Sequence, residues 1–277
     1  MAECAFCGAI VTGKLSEEHV FPDWLIQELP TDKEAIRERK LLTLGPNIEL
    51  IADRSRSEGP AAAPSKVRAV CRDECNGGWM SRMERRIKPI LLPLIHDVAH
   101  TVSVDDQRRI ALWAIKTTMM LEYTDDQTRV TTPEQRRQLY ESRDGGTRAG
   151  QIPKTFEVWM GGHKGTGIPS YWYSHRTGLG VFPVEVPTYD TAVPHHNNIQ
   201  YTFLVAGALV LVVLGHAMRR VARVQTSFGI DRQANRRLVK IHNATADLAW
   251  PLGRPSSSTD LHRMAVAVLT LSQTVCV

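Results

Sequence analysis

Two cysteine pairs mark the first eighty residues, Cys4-Ala-Phe-Cys7 and Cys71-Arg-Asp-Glu-Cys75. Two short-spaced pairs suit a tetrahedral structural zinc, which prefers four soft thiolate ligands carried on two turns. The first pair has the usual two-residue gap and the second has three. Sixty-three residues separate the pairs, so one shared ion would close a long loop. Four unrelated thiols are the alternative. The fifth cysteine, Cys276, stands alone near the C-terminus and reads as a plain thiol.

Inside that loop lies Glu18-His19-Val20-Phe21-Pro22, and directly after the second pair comes Asn76-Gly77-Gly78-Trp79-Met80. A histidine can act as a general base near neutral pH. A carboxylate can hold a hard cation such as Mg²⁺. Neighbours on a strand point to opposite faces, although a strand end or turn can aim both at one site. Asn76 is a natural helix N-cap, or a metal ligand through its amide oxygen. Gly77-Gly78 would admit a phosphate backbone, whereas Trp79 and Met80 read as core. Such a dipeptide is commonly plain surface; its place between the cysteine pairs singles it out.

The elements that must position these groups follow from pattern. Residues 1–22 read as short strands and turns, and 23–29 as a helix stopped by Pro30. Residues 31–65 look less regular and end in a Pro/Ala-rich loop. Lys66–Val70 alternates like a half-buried strand. Trp79, Met80, Met83 and Ile87 have helical spacing, with Pro89 and Pro93 predicting a kink or early end. A second helix is predicted over 105–123, and another begins at Thr132-Pro133. Beyond Pro153 the texture is that of strands, 155–160, 171–174 and 178–186, with a short apolar helix running to Val275. The expected class is α+β: an N-terminal zinc module over 1–95, a helical region over 96–150, and a mainly β region over 151–277.

Residues 201–218 contain a long apolar run followed by Arg219-Arg220. It is shorter than the ~20 residues a membrane helix needs, and its valines and Gly207 favour a buried strand or hairpin. A membrane span is the alternative, with the arginines on the cytoplasmic side.

The 277 residues suffice for a substantial core. Of 34 basic and 29 acidic residues, the first hundred hold 14 and 15, leaving 20 and 14 for the rest. The net +5 therefore resides beyond residue 100. That charge suits an anionic partner such as DNA, or is an ordinary solvated surface. Paired cysteines without a visible signal peptide predict a cytoplasmic location.

Taken together, Cys4–Cys7, Glu18-His19-Val20-Phe21-Pro22 and Cys71…Cys75-Asn76-Gly-Gly-Trp-Met resemble an HNH endonuclease of the zinc-bearing ββα-metal kind, over about residues 1–88. The resemblance implies two strands and a helix around one divalent cation, Mg²⁺ or Mn²⁺. It implies Glu18 and Asn76 as ligands of that catalytic cation and His19 as the base that activates water. Cys4, Cys7, Cys71 and Cys75 would hold structural Zn²⁺, and DNA would be the substrate. The family's central asparagine, which orients the histidine, has no counterpart just before Cys71. Asn47 is the one asparagine between the two halves, and the resemblance carries the role over to it. The extra residue between Cys71 and Cys75 is a second departure. Both leave a different class open: a non-catalytic zinc module that binds nucleic acid or protein. A membrane-tethered nuclease using residues 201–218 is the third.

Overall fold

The computed structural model describes residues 1–29, 36–44, 50–60, 66–124, 129–164, 171–177, 199–216, 237–257, 259–261 and 263–264. For 36–44, 50–60, 171–177 and 199 it describes the backbone alone. Asn47, Cys276, the strand expected over 178–186 and the end of the C-terminal helix lie outside the described residues.

The chain is α+β. Strands β1 (Ala2–Glu3) and β2 (Ile10–Val11) form a hairpin whose turn carries Cys4 and Cys7. Gly8, at φ +73°, closes that turn, where its amide donates to the Cys4 carbonyl. Strand β3 (Ser16–His19) leads through Pro22 into helix α1 (Asp23–Glu28). Next come β4 (Ile36–Leu44) and β5 (Leu50–Pro60), an antiparallel ribbon where the sequence predicts irregular chain. Their polar residues obscure the pattern, because a two-stranded ribbon has no sheet neighbours that demand apolar alternation. Strand β6 (Lys66–Val70) returns to pair with β3, setting His19 opposite Lys66 and Glu18 opposite Val67.

A wide helical turn over Arg72–Met80, interrupted at Gly78, runs into helix α2 (Ser81–Ile95). Pro89 and Pro93 lie inside α2 and do not end it early. The carbonyls they leave unbonded belong to Arg85 and Pro89, both exposed, where water can satisfy them. Strand β7 (His100–Val102) precedes helix α3 (Val104–Leu121), which Ser103 caps by accepting from the Asp106 amide. The sequence predicts this helix, and every residue from Ile110 to Leu121 is buried in it. It is the central helix, enclosed on all sides. Helix α4 (Pro133–Glu141) starts with a capping box between Thr132 and Gln135.

The C-terminal half is a five-stranded antiparallel sheet, with β8 (Phe156–Gly162), β9 (Tyr171–Thr177), β10 (Ile199–Ala206), β11 (Leu209–His216) and β12 (Leu238–Lys240) ordered β12-β8-β11-β10-β9. β13 (Leu248–Trp250) pairs with β7. The apolar run after residue 200 is thus the β10–β11 hairpin, and Ala208 in its turn donates to the Ile95 carbonyl at the end of α2. No helix among the described residues is long and apolar enough to cross a membrane. Both faces of the sheet are covered, which explains the unbroken Leu-Val-Leu-Val-Val-Leu of β11. Val158, Met160, Leu211 and Val213 join one continuous core with Phe6, Val20, Met80 and α3. Trp159, Phe203, Val210 and Val212 pack on the opposite face with Leu261 and Met264. Because that core runs from the cysteine hairpin to the sheet, the N-terminal module packs into the rest of the chain.

Candidate functional site

The β1–β2 turn and the junction after β6 meet at four sulphurs. Cys4, Cys7, Cys71 and Cys75 present ligand atoms within 4.8 Å of one another, the single such cluster among the described residues. The Cys4–Cys75 and Cys7–Cys71 sulphur separations are both 3.5 Å. A tetrahedron with Zn–S of about 2.3 Å has edges of roughly 3.8 Å. The quartet is therefore the right size and chemistry for a metal such as zinc.

Its electrostatics also call for a cation. The Cys75 thiol beside Cys4 pulls the latter's pKa down to about 4. Contact with Cys4, followed by burial, pushes Cys75 strongly up. Burial raises Cys7 to about 11. Cys4 is thus drawn toward the thiolate while Cys7 and Cys75 are held toward the thiol, and a divalent ion would favour the ionised form of its ligands. The Cys71 amide already donates to the Cys4 sulphur at 3.2 Å.

The surroundings of the quartet are tied to α4. Arg136, buried, donates to the Ala5 carbonyl at 3.3 Å, and Arg137 donates to the carbonyl of Cys7. Glu74, between the last two cysteines, accepts from the Tyr140 hydroxyl at 2.8 Å and faces Arg143 at 3.3 Å. Trp79 and Met80 are buried, with the Phe6 and Tyr140 rings edge-on to Trp79 at 5.7 and 6.3 Å. Gly78 is required by internal packing, since a Cβ there would lie 2.5 Å from the Asp73 carbonyl oxygen. Gly77 is the exposed member of the pair.

Strand alternation separates Glu18 from His19. Val20 and Glu18 point inward, whereas Glu17 is exposed and His19 partly so. The His19 Nε2 lies 3.5 Å from the Asp23 carboxylate, one turn on at the start of α1. Asn76 reaches back from the helical turn to β3, where its Nδ2 donates to Ser16 Oγ at 2.7 Å and to the Glu17 carbonyl at 2.8 Å. Asn76 and His19 are thus joined through one short strand, at its two ends.

Glu18 has a different partner. Lys116 of α3, fully buried, places its Nζ 3.4 Å from Glu18 and 2.8 Å from Glu84 of α2. Burial raises the Glu18 pKa, against the pull of the Lys116 ammonium. The contacts that Glu18 and Asn76 make do not converge on an ion as they stand: Glu18 already faces a cation, and Asn76 turns its amide nitrogen to the strand. Asn47 lies outside the described residues. Lys116 and Glu84 are what sequence reasoning misses. The signal is present in Ile110-Ala-Leu-Trp-Ala-Ile-Lys-Thr-Thr-Met-Met-Leu121, where a lone lysine in an apolar helix demands a buried carboxylate.

No protein-family model, curated protein or solved structure matches this chain.

Proposed function

We propose that the chain is an HNH-type DNA endonuclease that hydrolyses phosphodiester bonds, with zinc in the cysteine quartet and Mg²⁺ or Mn²⁺ as its catalytic cation. The observation that carries the proposal is the way the quartet ties the β1–β2 turn to the junction between β6 and α2, beside the strand that carries His19. That tie leaves His19 partly exposed at the strand end while Asn76 grips the same strand. His19 would take a proton from water, and the water oxygen would attack phosphorus and expel the 3′-oxygen. Asp23, beside the imidazole Nε2, is the group among the described residues best placed to orient the ring. The expected ligands Glu18 and Asn76 do not fit a divalent cation as arranged, so the cation requirement rests on the resemblance alone.

The engagement of Glu18 by Lys116 favours a second reading, a non-catalytic zinc module that binds nucleic acid or protein. Plasmid nicking separates the two. The nuclease should cut with Mg²⁺ or Mn²⁺ and lose the activity in a folded His19→Ala variant. A binding module should show no cutting that depends on His19.

A further inference from the structure

On the far side of α2 from Glu84, a groove opens between α2, α3 and the end of α4. Its walls carry Arg82 and Arg86 from α2, Arg109 from α3 and Arg143 from the segment after α4; Trp79 and Leu112 are among its apolar lining. Arg82 and Arg86 are one turn apart. Glu84 lies about 200° around the helix from each, at roughly 100° per residue. The groove is therefore a different face from the one that holds the His19 strand through Lys116.

Three of the four guanidiniums face a carboxylate, and among the described residues the fourth, Arg82, does not. Arg86 pairs with Asp144, and Arg109 lies 3.3 Å from Asp106. Arg143 stacks on the Tyr140 ring at 3.5 Å from its centre and faces Glu74. Arg82 has no ion-pair partner among the described residues. Arg82, Arg86 and Arg109 are exposed, and exposed ion pairs contribute little, so an incoming anion exchanges them at little cost. Guanidinium forks match the paired oxygens of a phosphodiester. The wall is also fixed by the quartet, because Glu74, which holds Tyr140 and Arg143, stands between two of its cysteines.

We propose that this groove binds the phosphodiester backbone of DNA and is the chain's principal grip on its substrate, an inference that rests on the nuclease reading. It gives DNA a hold away from the bond-breaking group. The test is fluorescence anisotropy with a labelled 30-base-pair duplex, across a salt series without Mg²⁺, in a His19→Ala background. Arg82→Ala/Arg109→Ala is compared with Arg254→Ala/Arg263→Ala, which removes the same charge from exposed positions outside the groove. Plasmid cleavage by the unsubstituted protein is run beside it.

Each phosphate contact contributes about 0.9 to the slope of log K against log salt. The groove variant should therefore lose about 2 from the slope and between about tenfold and a hundredfold in affinity at 0.1 M salt. The control should change affinity by less than about threefold, with its slope nearly intact, on the same electrostatic argument. Equal behaviour of the two variants overturns the groove, and if the unsubstituted protein still cuts plasmid, the nuclease reading survives that loss. Loss of binding in the groove variant alone, with no cleavage by the parent under any divalent cation, supports the groove and removes the nuclease. A parent chain that neither binds nor cuts DNA overturns both.

Discussion

The cysteine end and the five-stranded sheet belong to one core, yet they are held together differently. Strands β3 and β6 are four and five residues long and, among the described residues, form a two-stranded sheet. The central sheet strands β10 and β11 are each eight residues long, and β11 is buried along nearly its whole length with residues from both faces in apolar clusters. A two-stranded hairpin is marginal by itself. The N-terminal module therefore depends on cross-links, the four sulphurs that could hold a metal and Lys116 to two carboxylates, where the sheet depends on contact area. Short chemical signatures give the first kind of stability, and long apolar patterns the second.

The largest effect should come from the quartet. Structural zinc contributes on the order of 10 kcal/mol in small zinc modules. Purified protein should carry one zinc per chain by elemental analysis. Cys75→Ser should lose that zinc and lower the melting temperature of the whole chain in a single transition, because the core is continuous from Phe6 to Val213. Two separate transitions would show that the ends are independent and break the comparison.

Lys116→Met comes next. It leaves the buried Glu18 and the half-buried Glu84 without their cation, a loss of about 3–5 kcal/mol, measurable by urea denaturation. Glu18→Gln should cost much less, since burial already disfavours its charge. Equal losses would mean that the triad is not the cross-link described.

In the sheet, Leu211→Ala should cost about 2–5 kcal/mol through its cavity, and zinc content should stay at one per chain. Zinc loss in that variant would show that the sheet, rather than the cysteines, shapes the metal site.

The smallest expected effect is a pH dependence. Burial lowers the pKa of both His163 and His216. A depressed histidine contributes stability that is full above its unfolded pKa of about 6.5 and is lost as pH falls through the folded value. Melting temperature should fall from pH 7 towards 5, and His163→Gln/His216→Gln should flatten that slope. An unchanged slope would assign the acid sensitivity elsewhere, with the thiolates the next candidates.

Much of this was legible in the residues. Cys4, Cys7, Cys71 and Cys75 converge as their spacing suggests, and Lys66–Val70 is the strand its alternation predicts. The hairpin at 199–216 follows from valine content and a run too short for a membrane helix. Other features depend on long-range contacts that local pattern does not encode. Glu18 and His19 diverge because β3 stays a regular strand to its end. The inward turn of Glu18 is matched by a lysine ninety-eight residues away. The β4–β5 ribbon lacks the alternation that a buried sheet would impose. Pro89 and Pro93 sit inside α2, where the carbonyls they cannot bond belong to the exposed residues Arg85 and Pro89. The groove takes its arginines from three elements far apart in sequence, so no single motif announces it.

His19 is the residue on which the proposed chemistry depends. Its most direct test is the plasmid-nicking rate of zinc-loaded, folded parent and His19→Ala proteins under saturating Mg²⁺. A positioned general base contributes about 10²–10⁴-fold, so the account predicts a loss of that size with zinc content and melting temperature unchanged. Cutting by His19→Ala at the parent rate would contradict it.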